Sequence, residues 1–224
     1  MEAKFEKATI GEKFTYFFSS YRKILLVLLA VVVVFILGYG ITTAVVSNTS
    51  KAGLEDIDSI SYILTKDSAN LSDEDLEKRR TAALSSLEKY NGKSGVVGVR
   101  ANMLSAEIKY SQDDYEAAAS FWKTAAEKGK KSYTAPLSYF NAASAYEDAG
   151  KLDESESCYE KVVSYKDFDQ IAHAKFNLGR VKETKGDKSG AVEVYSELFG
   201  SVPEDSWAKL AESRLIALEL ADKE

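Results

Sequence analysis

Cysteine and histidine occur once each in this 224-residue chain, and proline only twice. A lone Cys158 excludes an internal disulfide and a cysteine-built metal centre, and within a helix it reads as a plain buried thiol. His173 has no nucleophile or acid patterned beside it, so the chain offers no catalytic constellation, and neither an enzyme nor a cofactor is expected. The two prolines, Pro136 and Pro203, stand where helices would begin. No stretch alternates apolar and polar residues cleanly enough for a strand, and the apolar spacing after residue 50 is helical. The expected fold class is all-α.

Two local patterns carry less than they suggest. Asn91-Gly-Lys-Ser-Gly95 lacks the G-x-x-x-x-G-K-[ST] spacing of a phosphate loop and no strand precedes it, so it reads as a turn between helices. Asp73-Glu74-Asp75 suits the first turn of a helix, where carboxylates favour the dipole. EF-hand spacing is missing, and no metal site is expected.

One long apolar run is present. Ile24 to Val46 is uninterrupted, and no charge stands between Lys23 and Lys51. As a helix it would extend roughly 35 Å, enough to cross a hydrocarbon core of about 30 Å. A cleavable signal is the competing reading, with Thr42-Thr43-Ala44 as a weak site, but the run is longer than a signal core of about 7–15 residues. No cysteine follows it to take a lipid. Phe14, Tyr16, Phe17, Phe18 and Tyr21 precede it as an aromatic cluster suited to the headgroup level.

Charge is divided across this run. Lys4, Lys7, Lys13, Arg22 and Lys23 outweigh Glu2, Glu6 and Glu12, whereas Lys51 is followed by Glu55, Asp56 and Asp58. The positive-inside rule then keeps the N-terminus in the cytoplasm and sends the rest across. The chain carries −6, and the excess acid lies beyond the run, which makes nucleic acid and anionic lipid surfaces poor partners for that part. Expected divisions are a cytoplasmic segment 1–23, a membrane span 24–46, linker and adaptor helices 47–98, and an exported domain 99–224.

That domain repeats itself. Phe140 and Phe176, Asn141 and Asn177, Gly150 and Gly186, and Tyr159 and Tyr195 are each 36 residues apart. Tyr139 to Tyr146, with Gly150, Ser155, Tyr159 and Val162, resembles a tetratricopeptide repeat, a helix–turn–helix of 34 residues. Phe176-Asn177-Leu178-Gly179, Gly186, Ala191, Tyr195, Leu198 and Pro203 resemble a second. A weaker first unit runs through Ala106, Tyr115, Ala118, Trp122 and Ala125, with Asp113 in place of the turn glycine. Ser201-Val-Pro-Glu204 reads as a capping box opening a last helix with Trp207, Leu210, Ala211, Leu215 and Leu218 on one face. Gly53 to about Leu64 and Ser72 to Tyr90, ended by Gly92, read as two further helices, a degenerate repeat or an adaptor.

The resemblance implies an interaction module that binds proteins, without small-molecule substrate, in a groove lined by the first helix of each repeat. Carried onto this sequence, the groove positions are Met103, Glu107 and Tyr110, then Phe140, Asn141 and Ser144, then His173, Phe176, Asn177 and Arg180. Phe140 and Phe176 would offer an apolar strip. The asparagines would bond an extended peptide or serve the repeat's own packing. A clamp for a C-terminal carboxylate is not expected, because Glu107 would meet the carboxylate. The layout of one span followed by acidic repeats is similar to the single-span periplasmic proteins that accompany the bacterial Sec translocon (the YfgM type). That likeness implies an inner-membrane protein with periplasmic repeats, binding translocon subunits, a periplasmic foldase or secreted chains. An envelope scaffold, or an organelle import receptor with its repeats in the cytosol, are the alternatives.

Overall fold

The computed structural model describes residues 9–221. Glu2, Lys4, Glu6 and Lys7 of the charge argument lie outside the described residues. Among the described residues the protein is helical, with no strand, and it divides into two compact units, residues 1–52 and 53–224.

The first helix, α1, is Ile10–Thr65. Thr9 and Glu12 form a reciprocal cap at its start: the Thr9 N–H donates to the Glu12 carboxylate at 2.8 Å, and the Glu12 N–H to the Thr9 hydroxyl at 3.4 Å. Phe14 stacks near Phe18, and Phe17 meets Tyr21 at a tilt, each the helical neighbour at i+4. Apolar side chains from Ile24 to Val46 are largely uncovered by protein. Hydroxyls in this stretch bond to their own helix, Thr42 donating to the Gly38 carbonyl at 2.7 Å and Thr43 to that of Tyr39 at 3.0 Å, so they ask nothing of an apolar surrounding. By length and composition, α1 is apolar enough to cross a membrane.

Gly53 to Leu64 is not a separate helix, as the sequence suggested, but the last turns of α1. Nothing between Ala44 and Gly53 breaks the backbone ladder. Those turns open the second unit. Leu54, Ile57, Ile60 and Leu64 pack against Ala83 and Leu87 of α2 (Asp73–Asn91) and Val97, Ala101 and Leu104 of α3 (Gly95–Tyr110). Ser72 caps α2, accepting from the Asp75 N–H at 3.2 Å. Gly92 follows the last residue of α2 with an ordinary φ of −76°, and the left-handed residue of this turn is Gly95, at φ 67°.

From α3 onward the helices alternate as pairs: α3 with α4 (Tyr115–Lys128), α5 (Thr134–Asp148) with α6 (Leu152–Val163), α7 (Ile171–Thr184) with α8 (Lys188–Ser201), then α9 (Ser206–Ala221). Each pair turns in the same way. Asp113, Gly150 and Gly186 are left-handed, at φ 58°, 72° and 85°. The next N–H of each turn reaches five residues back: Asp114 to Lys109 at 3.0 Å, Lys151 to Tyr146 at 2.7 Å, Asp187 to Lys182 at 2.9 Å. That bond is the signature of a helix end closed by a left-handed residue. Asp113 thus performs the glycine's part in the first turn. Aspartate tolerates this backbone better than most side chains.

Close approach within pairs follows from small residues. Ala143, Ser155 and Ala191 have no exposed surface, and Tyr159 and Tyr195 fill the space beside them. A Cβ on Gly179 would stand 2.5 Å from the Tyr195 ring, so only glycine admits α8 at this distance. Leu198, 1 % exposed, exemplifies the core positions whose burial stabilises by about 1.5–3 kcal/mol each.

The last helix begins later than the sequence suggested. Ser201 ends α8 and its hydroxyl donates to the Leu198 carbonyl, while Asp205 accepts from the Trp207 N–H at 2.8 Å and starts α9. Ser201 is still helical, which leaves it no free geometry for capping, and Asp205 is the nearer acceptor. Ala208, Ala211 and Leu218 are buried, with Trp207 and Leu215 half-buried; Leu210 instead faces solvent.

Candidate functional site

The first helices of two successive pairs, α5 and α7, and the last helix, α9, are joined by two recurring rungs. In the aromatic rung, Phe140 on α5 meets the His173 imidazole edge-on with centroids 4.9 Å apart. Thirty-six residues on, Phe176 lies 5.4 Å from the Trp207 ring. His173 and Trp207 are corresponding residues, and they also touch each other, stacked at 3.7 Å. In the ionic rung, Glu147 accepts from both terminal nitrogens of Arg180, one bond being 2.8 Å, and Glu183, its counterpart, accepts from Arg214. A two-pronged guanidinium–carboxylate pair fixes orientation as well as distance. Glu147 holds the Arg180 charge in place, raising its pKa.

The ten positions drawn from the sequence fall into separate places. Phe140, His173, Phe176 and Arg180 are half-buried members of the rungs. Asn141 and Ser144, half-buried, share α5 with Phe140. Asn177 on α7 is buried at 8 % exposure and donates to the hydroxyl of Tyr159 on α6 at 3.3 Å, a bond between one pair and the next. Tyr110 ties α3 to α5 by donating to Asp148 at 2.7 Å; that bond, then burial, pushes its hydroxyl up to about 12. Met103 and Glu107 point elsewhere. Met103 lines a cavity of about 520 Å³ beside the α4–α5 connection, and Glu107 one of about 390 Å³ with Leu64, Ser68 and Arg80. Burial raises the Glu107 carboxyl and Arg100 partly offsets this.

Trp207, Glu147, Glu183 and Arg214 were not singled out as site residues. Trp207 was legible only as a core position, since it follows His173 by 34 residues, two fewer than the 36 that separate the other repeated pairs. Burial, then Arg180, lowers the His173 pKa, so the ring is neutral at neutral pH. Cys158 is buried, and burial pushes its thiol up to about 11, which keeps it protonated and unreactive. The 91–95 segment is a turn whose carbonyls at Gly92 and Lys93 accept from Lys128.

Comparison with known proteins finds a repeat in this part of the chain. Residues 137–169, which cover most of α5, all of α6 and most of the connection after them, match the model of the tetratricopeptide repeat. The tetratricopeptide family is supported. A "TPR repeat-containing protein" of Treponema pallidum (strain Nichols) is 33% identical over 115 residues, covering 51% of this chain and 48% of that one. The chain thus spans about half the length of that relative. The crystal structure of MamA protein is similar over 70% of this chain and 86% of its own, at 20% identity and a TM-score of 0.45.

Proposed function

We propose that the protein is a membrane-anchored adaptor of the cell envelope, held by residues 24–46 in a bacterial inner membrane, its repeats periplasmic. It binds polypeptides along the first-helix face and does so without turnover. The observation that carries this reading is the set of recurring rungs, which holds α5, α7 and α9 side by side with Phe140, His173 and Phe176 half-exposed along them. The rungs keep that face in one arrangement, so binding needs little further ordering. Asn141 and Ser144 lie among these rings and supply polar contacts. Translocon subunits, a periplasmic foldase or emerging secreted chains fit such a face, as the layout implies.

Capture from solubilised membranes through a C-terminal tag tests it. Phe140→Ala with Phe176→Ala, and separately Ser144→Arg, which leaves the rungs in place, are each expected to lower partner recovery by about tenfold or more. Glu193→Ala, on exposed α8, is expected to capture normally. Loss in the α8 variant with retention in the other two would move binding off this face.

A further inference from the structure

The two longest stretches of the second unit without aspartate or glutamate are Lys89 to Ala106 and Lys128 to Tyr146. The fold brings them together. The cavity of about 520 Å³ lies between the first turns of α3, the end of α4 and the connection into α5, and apart from Glu127 its whole lining comes from these two stretches. Val96, Val99 and Met103 supply apolar surface. Tyr133, 90% exposed, stands at the rim. Lys128 is spent on the Gly92 and Lys93 carbonyls and Arg100 on Asp58, 2.8 Å away. No carboxylate among the described residues pairs with Lys130 or Lys131, both exposed.

The place in the array explains why a cavity exists here. Taking the 37-residue step from Asp113 to Gly150, Met103 corresponds to Phe140. The later junctions are filled by Phe140 on His173 and by Phe176 on Trp207. The thinner methionine leaves this junction open, and flexible thioethers suit varied apolar guests.

We infer that this cavity docks an acidic polypeptide segment, an apolar side chain entering against Val96, Val99 and Met103 while adjacent carboxylates meet Lys130 and Lys131. Charge complementarity selects the partner: local positive charge in a negative domain steers acidic chains here and repels basic ones. A walled cavity with an apolar lining suits a side chain flanked by carboxylates better than it suits the flat headgroup plane of a bilayer. The inference rests on reading the second unit as a protein binder, but it concerns a site apart from the α5–α7–α9 face.

The test uses the full chain in uncharged detergent and a dye-labelled peptide of alternating glutamate and leucine, read by fluorescence anisotropy. Binding is expected, weakened by salt and reduced about tenfold or more by Lys130→Glu with Lys131→Glu. Val96→Asp, at an already exposed position, is expected to abolish it without disturbing the fold. Ser144→Arg should leave it unchanged, which separates this site from the first-helix face. Equal binding of a lysine–leucine peptide, indifference to the charge reversals, or displacement of the peptide by vesicles containing phosphatidylglycerol but not by unlabelled peptide would each overturn the inference. If the acidic peptide does not bind while Ser144→Arg still blocks partner capture, this inference alone falls.

Discussion

The imidazole of His173 lies flat on the indole of Trp207, centroids 3.7 Å apart and planes within 6°. The two rings occupy the same position in successive units, so the aromatic rung of one repeat rests directly on that of the next. Phe140 leans on one side of the pair and Phe176 on the other. Rings packed in this way contribute beyond their buried area, about 0.5–1.5 kcal/mol per pair.

This stack gives the fold a pH dependence of defined sign. His173 has a folded pKa below its unfolded value, through burial first and the Arg180 charge second. The unfolded chain therefore takes up the proton first, and stability present above about pH 6.5 is lost as pH falls towards the folded value. Thermal unfolding of the full chain in detergent should shift to lower temperature between pH 7 and pH 5.5. His173→Phe should flatten the shift. An unchanged pH dependence in that variant would place the titrating group elsewhere.

Gly179 gives a packing test whose sign is diagnostic. Inside an exposed helix, glycine to alanine stabilises by about 1 kcal/mol. Here the new Cβ would meet the Tyr195 ring at 2.5 Å, so Gly179→Ala is expected to destabilise, and Gly179→Leu or Ala191→Trp by about 1–3 kcal/mol or more. Denaturant titration followed by circular dichroism measures it. A stabilised Gly179→Ala would show that α7 and α8 do not approach so closely.

Much of the second unit was readable from residues alone, for definite physical reasons. Gly150 and Gly186 announced their turns because few other residues accept φ near 72° or 85°. Ala143, Ser155, Tyr159 and Tyr195 announced the pair packing because small residues recur opposite large ones. What escaped was contact between repeats. Glu147 and Arg180 stand 33 positions apart, and no local pattern joins a carboxylate to a guanidinium at that distance. Trp207 escaped as His173's counterpart because the two side chains differ in kind and share only position. The end of α1 was misread because Gly53 suggests a boundary; instead it lets Val97 approach, a Cβ there lying 3.0 Å from the valine Cγ1. The groove positions came from the family's average repeat, and this chain spends Asn177 and Tyr110 on its own internal bonds.

The proposed topology rests on Arg22 and Lys23 on one side of the apolar run and Glu55, Asp56 and Asp58 on the other. A phosphatase reporter that is active only in the periplasm, fused after Glu224 beyond the described residues, should be active. The protein should also stay in the membrane pellet after carbonate washing. Activity confined to a cytoplasmic reporter would reverse the orientation and remove the periplasmic reading.

The adaptor account is tested most directly by site-specific photo-cross-linking in living cells. A benzophenone side chain at Ser144 stands on the first helix of its pair, among the rungs, and one at Ser157 stands exposed on the second helix of the same pair. The two sites share one repeat and one expression level, so they differ in the face presented. The account predicts polypeptide adducts from Ser144, lost when Phe140 and Phe176 are both replaced by alanine, and none from Ser157. Adducts from Ser157 with none from Ser144 would contradict it.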